Sequence, residues 1–227
     1  MASRCFSTPT WRLALVACLL SGCGRARKEP LPAALPAPPA PVAPRVAPVA
    51  PEAGKELSVS PVALAARQQV GQTLHYDPAY VGLAYPGGDL PIEKGVCTDV
   101  VVRALRTALN LDLQQAVHED MRAAFSAYPD NWGLRKPDPN IDHRRVPNLR
   151  RYFERQGYAL AITKRAGDYL PGDLVSCTVG KRPHIMVVSD RKTPGGLPLV
   201  IHNIGRGTRE EDRLFAFPLT GHYRVKE

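Results

Sequence analysis

The sequence predicts an α+β protein in which N-terminal helices pack on a small antiparallel sheet. Apolar residues recur three and four positions apart in the first half of the folded region, which is the spacing of amphipathic helices. The second half contains short apolar runs separated by glycine, proline and charged turns, which is typical of strands. Helices followed by strands along 227 residues favour one main α+β domain.

Four helices are predicted in chain order. The first follows Ser60 in SPVALAARQQVGQTL, where the serine can cap the helix, Pro61 can occupy its first position and a glycine can end it. The second runs from Cys97 to Leu109, where apolar residues recur at helical spacing. The last two are predicted in AVHEDMRAAFSAY and PNLRRYFERQG, which the polar loop WGLRKPDPNIDHRR separates.

Four strands are predicted after Gly157. They lie in the segments DLVSCTV, HIMVVSD, PLVIHNI and GHYRV. The turns between them are short enough for antiparallel pairing. The sheet is therefore expected to occupy the C-terminal part of a folded domain that spans residues 57–227.

The N-terminal segment predicts export and lipid anchoring. The apolar run WRLALVACLLSGC is too short to span a bilayer and is typical of a signal peptide. It ends in LSGC, which resembles the bacterial lipoprotein box, so residues 1–22 are expected to be a lipoprotein signal peptide and Cys23 the site of lipidation. An ordinary cleaved signal is the alternative. Because Gly24 rather than aspartate follows, the expected location is the outer membrane, facing the periplasm.

A linker rich in proline and alanine is predicted between the anchor and the domain. Residues 23–56 comprise the lipidated cysteine and this linker, and the segment 30–51 is almost free of charge. An extended polyproline-like spacer of this length reaches about 70 Å. A disordered tether with no length requirement explains the composition equally well.

The net charge of +9 favours acidic partners. No helix-turn-helix, zinc-finger or RNP-type motif is present, so nucleic acid is not an expected partner, whereas anionic lipid and acidic cell-wall polymers are. The polar clusters 118–120 and 142–145 match no zinc-ligand spacing, and neither a metal nor another cofactor is expected.

The residues themselves point to a thiol nucleophile. Cys97 begins a predicted helix, where unpaired N–H groups and the helix dipole lower a thiol pKa. His184 lies on a strand, and because strand residues alternate faces it can point at the helix while Ile185 packs elsewhere. His202 and Asn203 on the next strand face opposite ways, and either could orient the imidazole.

Four motifs resemble the NlpC-type, papain-like cysteine peptidases of bacterial cell walls. They are YPGGDLPIEKGVCTDVV, YLPGDLV, PHIMVVSD and VIHNIG. The resemblance implies a papain-like (NlpC-type) fold with Cys97 as nucleophile, His184 as base and His202 as the third catalytic group. It also implies that Tyr85 lies beside the oxyanion.

A narrower resemblance covers about residues 60–225. The motifs YDPAYV, VHEDM, NIDHRRVPNL and HNIGRGT..ED are similar to the bacterial family catalogued as domain of unknown function 1287. The sequence Val-Cys-Thr-Asp around the nucleophile departs from the Asp-Cys-Ser-Gly of NlpC relatives, so the substrate pocket is not inherited from them. Candidate substrate-binding residues are Asp99, Trp132, Asp142, His143, Arg144, Arg145 and Asn203.

The expected function is a cell-envelope thiol hydrolase that cleaves an amide bond in peptidoglycan, either in the stem peptide or at the sugar–peptide junction. A lipid- or acyl-processing member of the same superfamily and a non-catalytic wall-binding lipoprotein are the alternatives. Cys177 is expected to pack in the sheet, with a disulfide to Cys97 as the rival interpretation, because an exported compartment permits disulfides.

Overall fold

Helices precede the main sheet in the computed structural model, which describes residues 59–226. This mixed architecture of helices and an antiparallel sheet confirms the predicted class. The signal peptide, Cys23 and the linker lie outside the described residues. No helix among residues 59–226 is both long and apolar enough to cross a membrane. The helices are α1 (Pro61–Gln68), α2 (Cys97–Leu109), α3 (Leu113–Ala123) and α4 (Val146–Arg155).

Local signals explain where the helices begin and end. The Ser60 side chain accepts a hydrogen bond from the Ala63 amide at the start of α1, and that helix stops at Gln68, before the predicted glycine. Helix α2 has the predicted bounds and is closed by a left-handed Asn110. Helix α3 begins earlier than expected because Asp112 caps the amide of Gln114 at 3.1 Å.

A two-residue parallel ladder immediately precedes α2. It joins β1 (His75–Tyr76) to β2 (Lys94–Gly95), with Tyr76 opposite Gly95. So short a pair leaves no periodicity in the sequence, and it was not predicted. The ladder brings Tyr76 next to the segment that enters the helix at Cys97.

Five antiparallel strands form the main sheet, in the order β6-β5-β4-β3-β7. Four of them match predicted strands. The unpredicted strand has the sequence TREE and lies at the edge of the sheet. Charged residues at an edge disfavour pairing with a further strand, and an edge strand does not need alternating apolar residues. The strands are β3 (Leu174–Val179), β4 (Arg182–Lys192), β5 (Pro198–Asn203), β6 (Thr208–Glu211) and β7 (Leu219–Tyr223).

The two faces of the sheet bury different apolar clusters. Ile185, Val187 and Ile201 belong to the cluster formed with the helices, which also contains Cys97. Alternating residues of the same strands belong to a second cluster, in which Cys177 is fully buried. Both cysteines are free thiols, so the structure contains no Cys97–Cys177 disulfide.

Candidate active site

Cys97 is the first residue of α2 and lines a cavity of about 380 Å³. Only 4% of its surface is exposed. The wall of this cavity combines apolar side chains with aromatic and cationic ones, among them Tyr76, Trp132, Arg145 and Pro183. A thiol at a helix start and at the edge of such a cavity can meet a ligand that enters from solvent.

Burial sets the protonation state of this thiol. It raises the pKa of Cys97 to about 12, although the backbone amides of Ile185 and Thr98 favour the thiolate; the nearby Asp99 carboxylate opposes it. The sequence predicted a lowered pKa from the helix start alone, and that prediction is wrong for this geometry. Desolvation outweighs the helix terminus, so the Cys97 thiol is neutral.

A hydrogen-bonded chain runs across three strands on the sheet face that carries Cys177, opposite the face that packs against Cys97. Nε2 of His184 on β4 lies 2.8 Å from Nδ1 of His202 on β5. Nε2 of His202 in turn lies 3.2 Å from a carboxylate oxygen of Glu211 on β6. All three strands are neighbours in the sheet, which is why residues distant in sequence form one continuous chain.

Both imidazoles are neutral in this environment. Burial, with a smaller effect from His202, lowers the pKa of His184 to about 3. Burial also lowers the pKa of His202, against the opposing effect of Glu211. The site therefore holds a neutral thiol and neutral imidazoles, rather than a preformed thiolate–imidazolium pair.

The thiol meets β4 through its backbone. Ile185 belongs to the same apolar cluster as Cys97, and its backbone amide favours the thiolate form of Cys97. The expectation that His184 points at the helix while Ile185 packs elsewhere is therefore wrong: Ile185 faces the helices, and His184 lies opposite Cys177 on the other face of the sheet. Within residues 59–226 no hydrogen bond joins the Cys97 thiol to the His184 ring, whose side-chain partner is His202.

Asn203 faces away from this chain of histidines and anchors the entry to α2. It is fully buried, and its Nδ2 donates to the Gly95 carbonyl at 2.9 Å. Its Oδ1 accepts from the Gly205 amide at 3.1 Å. Of the two candidates on β5, His202 is therefore the one that contacts His184, and a role of Asn203 in substrate binding stays a prediction.

Asp99 and Arg144 form a buried ion pair under the nucleophile. Two hydrogen bonds of 3.0 and 3.1 Å join the guanidinium to the carboxylate. Asp99 also accepts from the Val96 amide at 2.7 Å, and Arg144 donates to the carbonyls of Asp77 and Ala79. Their polar atoms hold the start of α2, and the role of both in substrate binding stays a prediction.

Tyr85 does not lie beside Cys97, contrary to the sequence-based expectation. Its ring stands edge-on against His118 of α3, with centroids 5.2 Å apart. The tyrosine in the nucleophile's cavity is Tyr76, whose pKa is raised by burial and by the nearby Cys97. The motif YDPAYV contained this residue, but only the ladder between β1 and β2 makes it a neighbour of the thiol.

Trp132 and Arg145 separate the nucleophile's cavity from a second cavity of about 330 Å³, because both residues line both spaces. The guanidinium carbon of Arg145 lies 4.1 Å from the centre of the Trp132 ring. Asp142, which lines the second cavity, is almost fully buried and accepts from Arg145 at 3.4 Å. Trp132 and Arg145 therefore remain candidates for substrate contact.

His143 is not available to a ligand in this conformation. Only 2% of it is exposed, and burial lowers its pKa to about 4. Its Nδ1 has no hydrogen-bond partner among the described residues. Asp142 is equally buried, and burial raises its pKa. Both are buried residues of the segment that carries Arg144 and Arg145, and their role in substrate binding stays a prediction.

Comparison with known families decides where this domain belongs. The family described as "Domain of unknown function (DUF1287)" matches residues 63–225. The chain belongs to the DUF1287 family. The DUF1287 domain is also similar to a protein of Escherichia coli (strain K12) named "Uncharacterized protein YijF", with 56% identity over 164 residues. That match covers 72% of this chain and 80% of the relative.

Sequence reasoning missed two residues of the DUF1287 site, Tyr76 and Glu211. Both belong to motifs that carry the family resemblance, so their presence there was the available signal. The sequence of neither motif shows which side chains contact each other in the folded domain. In the described part of the DUF1287 domain, no group of three or more His, Cys, Asp or Glu side chains is arranged to hold a metal ion.

Proposed function

We propose that this chain is a cell-envelope lipoprotein whose DUF1287 domain is a papain-like thiol hydrolase of the NlpC type, acting on an amide bond in peptidoglycan. One observation carries the proposal: Cys97, at a helix start, shares an apolar cluster with Ile185, the residue that follows His184, whose ring is hydrogen-bonded to His202. Nucleophile, base and orienting group are the parts that acyl transfer requires.

The neutral resting state dictates how such a site would work. The His184 imidazole must leave the sheet face that it shares with Cys177, come within hydrogen-bond reach of the Cys97 thiol and take its proton as Sγ bonds to the substrate carbonyl carbon. His184 then gives that proton to the leaving nitrogen as the C–N bond breaks. Water finally hydrolyses the thioester and regenerates the thiol. Activation occurs during attack, so no thiolate needs to persist in the empty site.

Tyr76 is the candidate for oxyanion stabilisation. It lines the cavity beside Cys97, and its raised pKa keeps the hydroxyl protonated and able to donate. The Cys97 backbone amide at the start of α2 is the natural second donor. In this proposal Tyr76 takes the role that the sequence assigned to Tyr85.

Peptidoglycan is the proposed substrate because the anchor motif, the linker and the basic charge all suit the cell wall. Within the cavity, the Trp132 ring can stack on a sugar or a peptide plane, and Arg145 can meet a carboxylate of the stem peptide. The amide bond that is cleaved is either within the stem peptide or at the sugar–peptide junction.

A non-catalytic wall-binding lipoprotein is the second candidate. The specific observation in its favour is the buried neutral thiol, which lacks a hydrogen bond to His184 among residues 59–226. In that case the cavity with Trp132 and Arg145 would bind wall fragments without turnover.

The deciding experiment is digestion of purified peptidoglycan by residues 53–227, with reductant present and new termini identified by mass spectrometry. Cys97→Ala is expected to abolish the products, and Cys177→Ala, which removes the other thiol of the domain, is expected to retain them. Loss of products in both variants would point to a folding defect rather than to a nucleophile. No products from wild type, with wall binding retained, would support the binding protein.

A further inference from the structure

Glu211 is placed by the edge strand at the end of the histidine chain. The strand that carries Glu211, β6, pairs with β5 and not with β4. The register partner of Glu211 on β5 is Val200, and His202 lies two residues after Val200. Oε2 of Glu211 lies 3.2 Å from Nε2 of His202, and the carboxylate is partly exposed. The Arg213 guanidinium lies 3.9 Å from the same oxygen and holds the carboxylate from the solvent side.

The carboxylate determines which nitrogen of each ring carries a proton. A carboxylate can only accept hydrogen bonds, so Nε2 of His202 must carry the proton, and Nδ1 of the same ring must carry the lone pair. That lone pair lies 2.8 Å from Nε2 of His184 and must therefore accept from an N–H there. Each neutral ring has one N–H, so Nδ1 of His184 is left as a free base.

We propose that Glu211 is a positioning residue that holds both histidines in the Nε2–H tautomer and thereby leaves Nδ1 of His184 as a free base. Glu211 acts through His202 and touches neither the thiol nor a substrate in this arrangement. The tautomer assignment stands on the three side chains alone, whereas its catalytic consequence rests on the proposed thiol hydrolase.

The contribution of Glu211 differs from that of an ordinary surface carboxylate. An amide at position 211 can turn its NH₂ group towards His202 and donate, which would stabilise the opposite tautomer of His202. Nδ1 of His202 would then carry the proton and donate to His184, whose Nδ1 would be protonated in turn. Such a reversal would leave the shape of the site unchanged while removing the base.

Nitrogen NMR of histidine-labelled protein tests the tautomers directly, because couplings to the ring protons identify the protonated nitrogen. The variants are Glu211→Gln and Glu211→Ala, with Asp212→Asn as the control, since Asp212 is an exposed neighbouring carboxylate. Wild type and Asp212→Asn are expected to hold both rings as Nε2–H. Glu211→Gln and Glu211→Ala are expected to populate Nδ1–H forms of both rings.

The amide spectrum of each variant separates a local change from loss of the fold. If either ring of wild type carries its proton on Nδ1, or if both substitutions leave the tautomers unchanged, the proposal is overturned. With active wild type, kcat/KM of Glu211→Gln should fall about 10- to 100-fold, mainly in kcat, because substrate contacts are intact. If wild type hydrolyses nothing, the proposed function fails, and the NMR result still decides the tautomers.

Discussion

The side-chain amide of Asn203 donates a 2.9 Å hydrogen bond to the carbonyl oxygen of Gly95, two residues before Cys97. This bond ties the end of β5 to the segment that enters α2. Because Gly95 also pairs with Tyr76, the same backbone segment links the sheet, the nucleophile and the tyrosine of the cavity.

Asn203→Ala is expected to destabilise the domain by about 0.5–1.5 kcal/mol, because it removes one of two hydrogen bonds to the buried Gly95 carbonyl, the other coming from the Asp77 amide. Urea unfolding followed by circular dichroism measures this. Asn131→Ala, at an exposed loop position, is the matched control and should change stability little. Equal stability of the two variants would show that the Gly95 bond is not an anchor.

The Cys97 thiol should label slowly at neutral pH. Burial raises the pKa of Cys97 to about 12 and that of Cys177 to about 11, so both are protonated over the working range. The alkylation rate of Cys97 by iodoacetamide should therefore rise about tenfold per pH unit from pH 7 to pH 9, without a plateau. Cys97 should still react faster than Cys177, because it lines a cavity. A plateau below pH 8 would contradict the neutral resting thiol.

Breaking the ion pair below the nucleophile should be strongly destabilising. Asp99→Ala leaves the Arg144 guanidinium buried without its carboxylate, and the expected loss is about 3–5 kcal/mol in the free energy of unfolding. Glu154→Ala, which breaks the exposed pair with Arg151, is the control and should have little effect. Comparable losses in the two variants would mean that burial of the Asp99 pair is unimportant.

Acid should weaken the sheet through Asp173. Burial opposes its ionisation, but the hydrogen bonds from Arg224 and His222 outweigh burial and hold the pKa of Asp173 below its usual 3.8. Because the pKa of Asp173 is lower in the folded than in the unfolded state, its ionised carboxylate stabilises the fold at a pH above the unfolded-state pKa. This stabilisation is lost as the pH falls through the folded-state pKa. The urea midpoints of wild type and Asp173→Asn should therefore differ by a constant amount at higher pH and converge only as the pH falls below 3.8. A difference that does not narrow below this pH would contradict the assignment.

Lipid anchoring depends on one cysteine. If Cys23 is lipidated, Cys23→Ser should move the protein from the membrane fraction to the soluble fraction of cells that export it. Cys97→Ser, which changes a thiol elsewhere in the chain, is the matched control and should remain with membranes. Retention of Cys23→Ser in the membrane fraction would refute the lipoprotein prediction.

Much of the architecture follows from local sequence signals. The serine cap and proline of α1, the helical spacing after Cys97 and the short apolar runs of β3, β4 and β5 each describe one element. Those signals depend on residues that are a few positions apart, so the elements can be recognised from the sequence alone. The polar strand β6 carries no such pattern, because an edge strand does not need two apolar faces.

The sequence by itself determined the class of the fold, the family resemblance and the positions of Cys97, His184 and His202 on a helix and two strands. Only the tertiary structure decided that Tyr76 rather than Tyr85 shares the cavity, that Glu211 completes the histidine chain, and that the thiol is neutral. The physical reason is the separation along the chain over which each effect acts. Periodicity and capping depend on neighbours along the chain, whereas desolvation and long-range strand pairing depend on what the folded chain brings together.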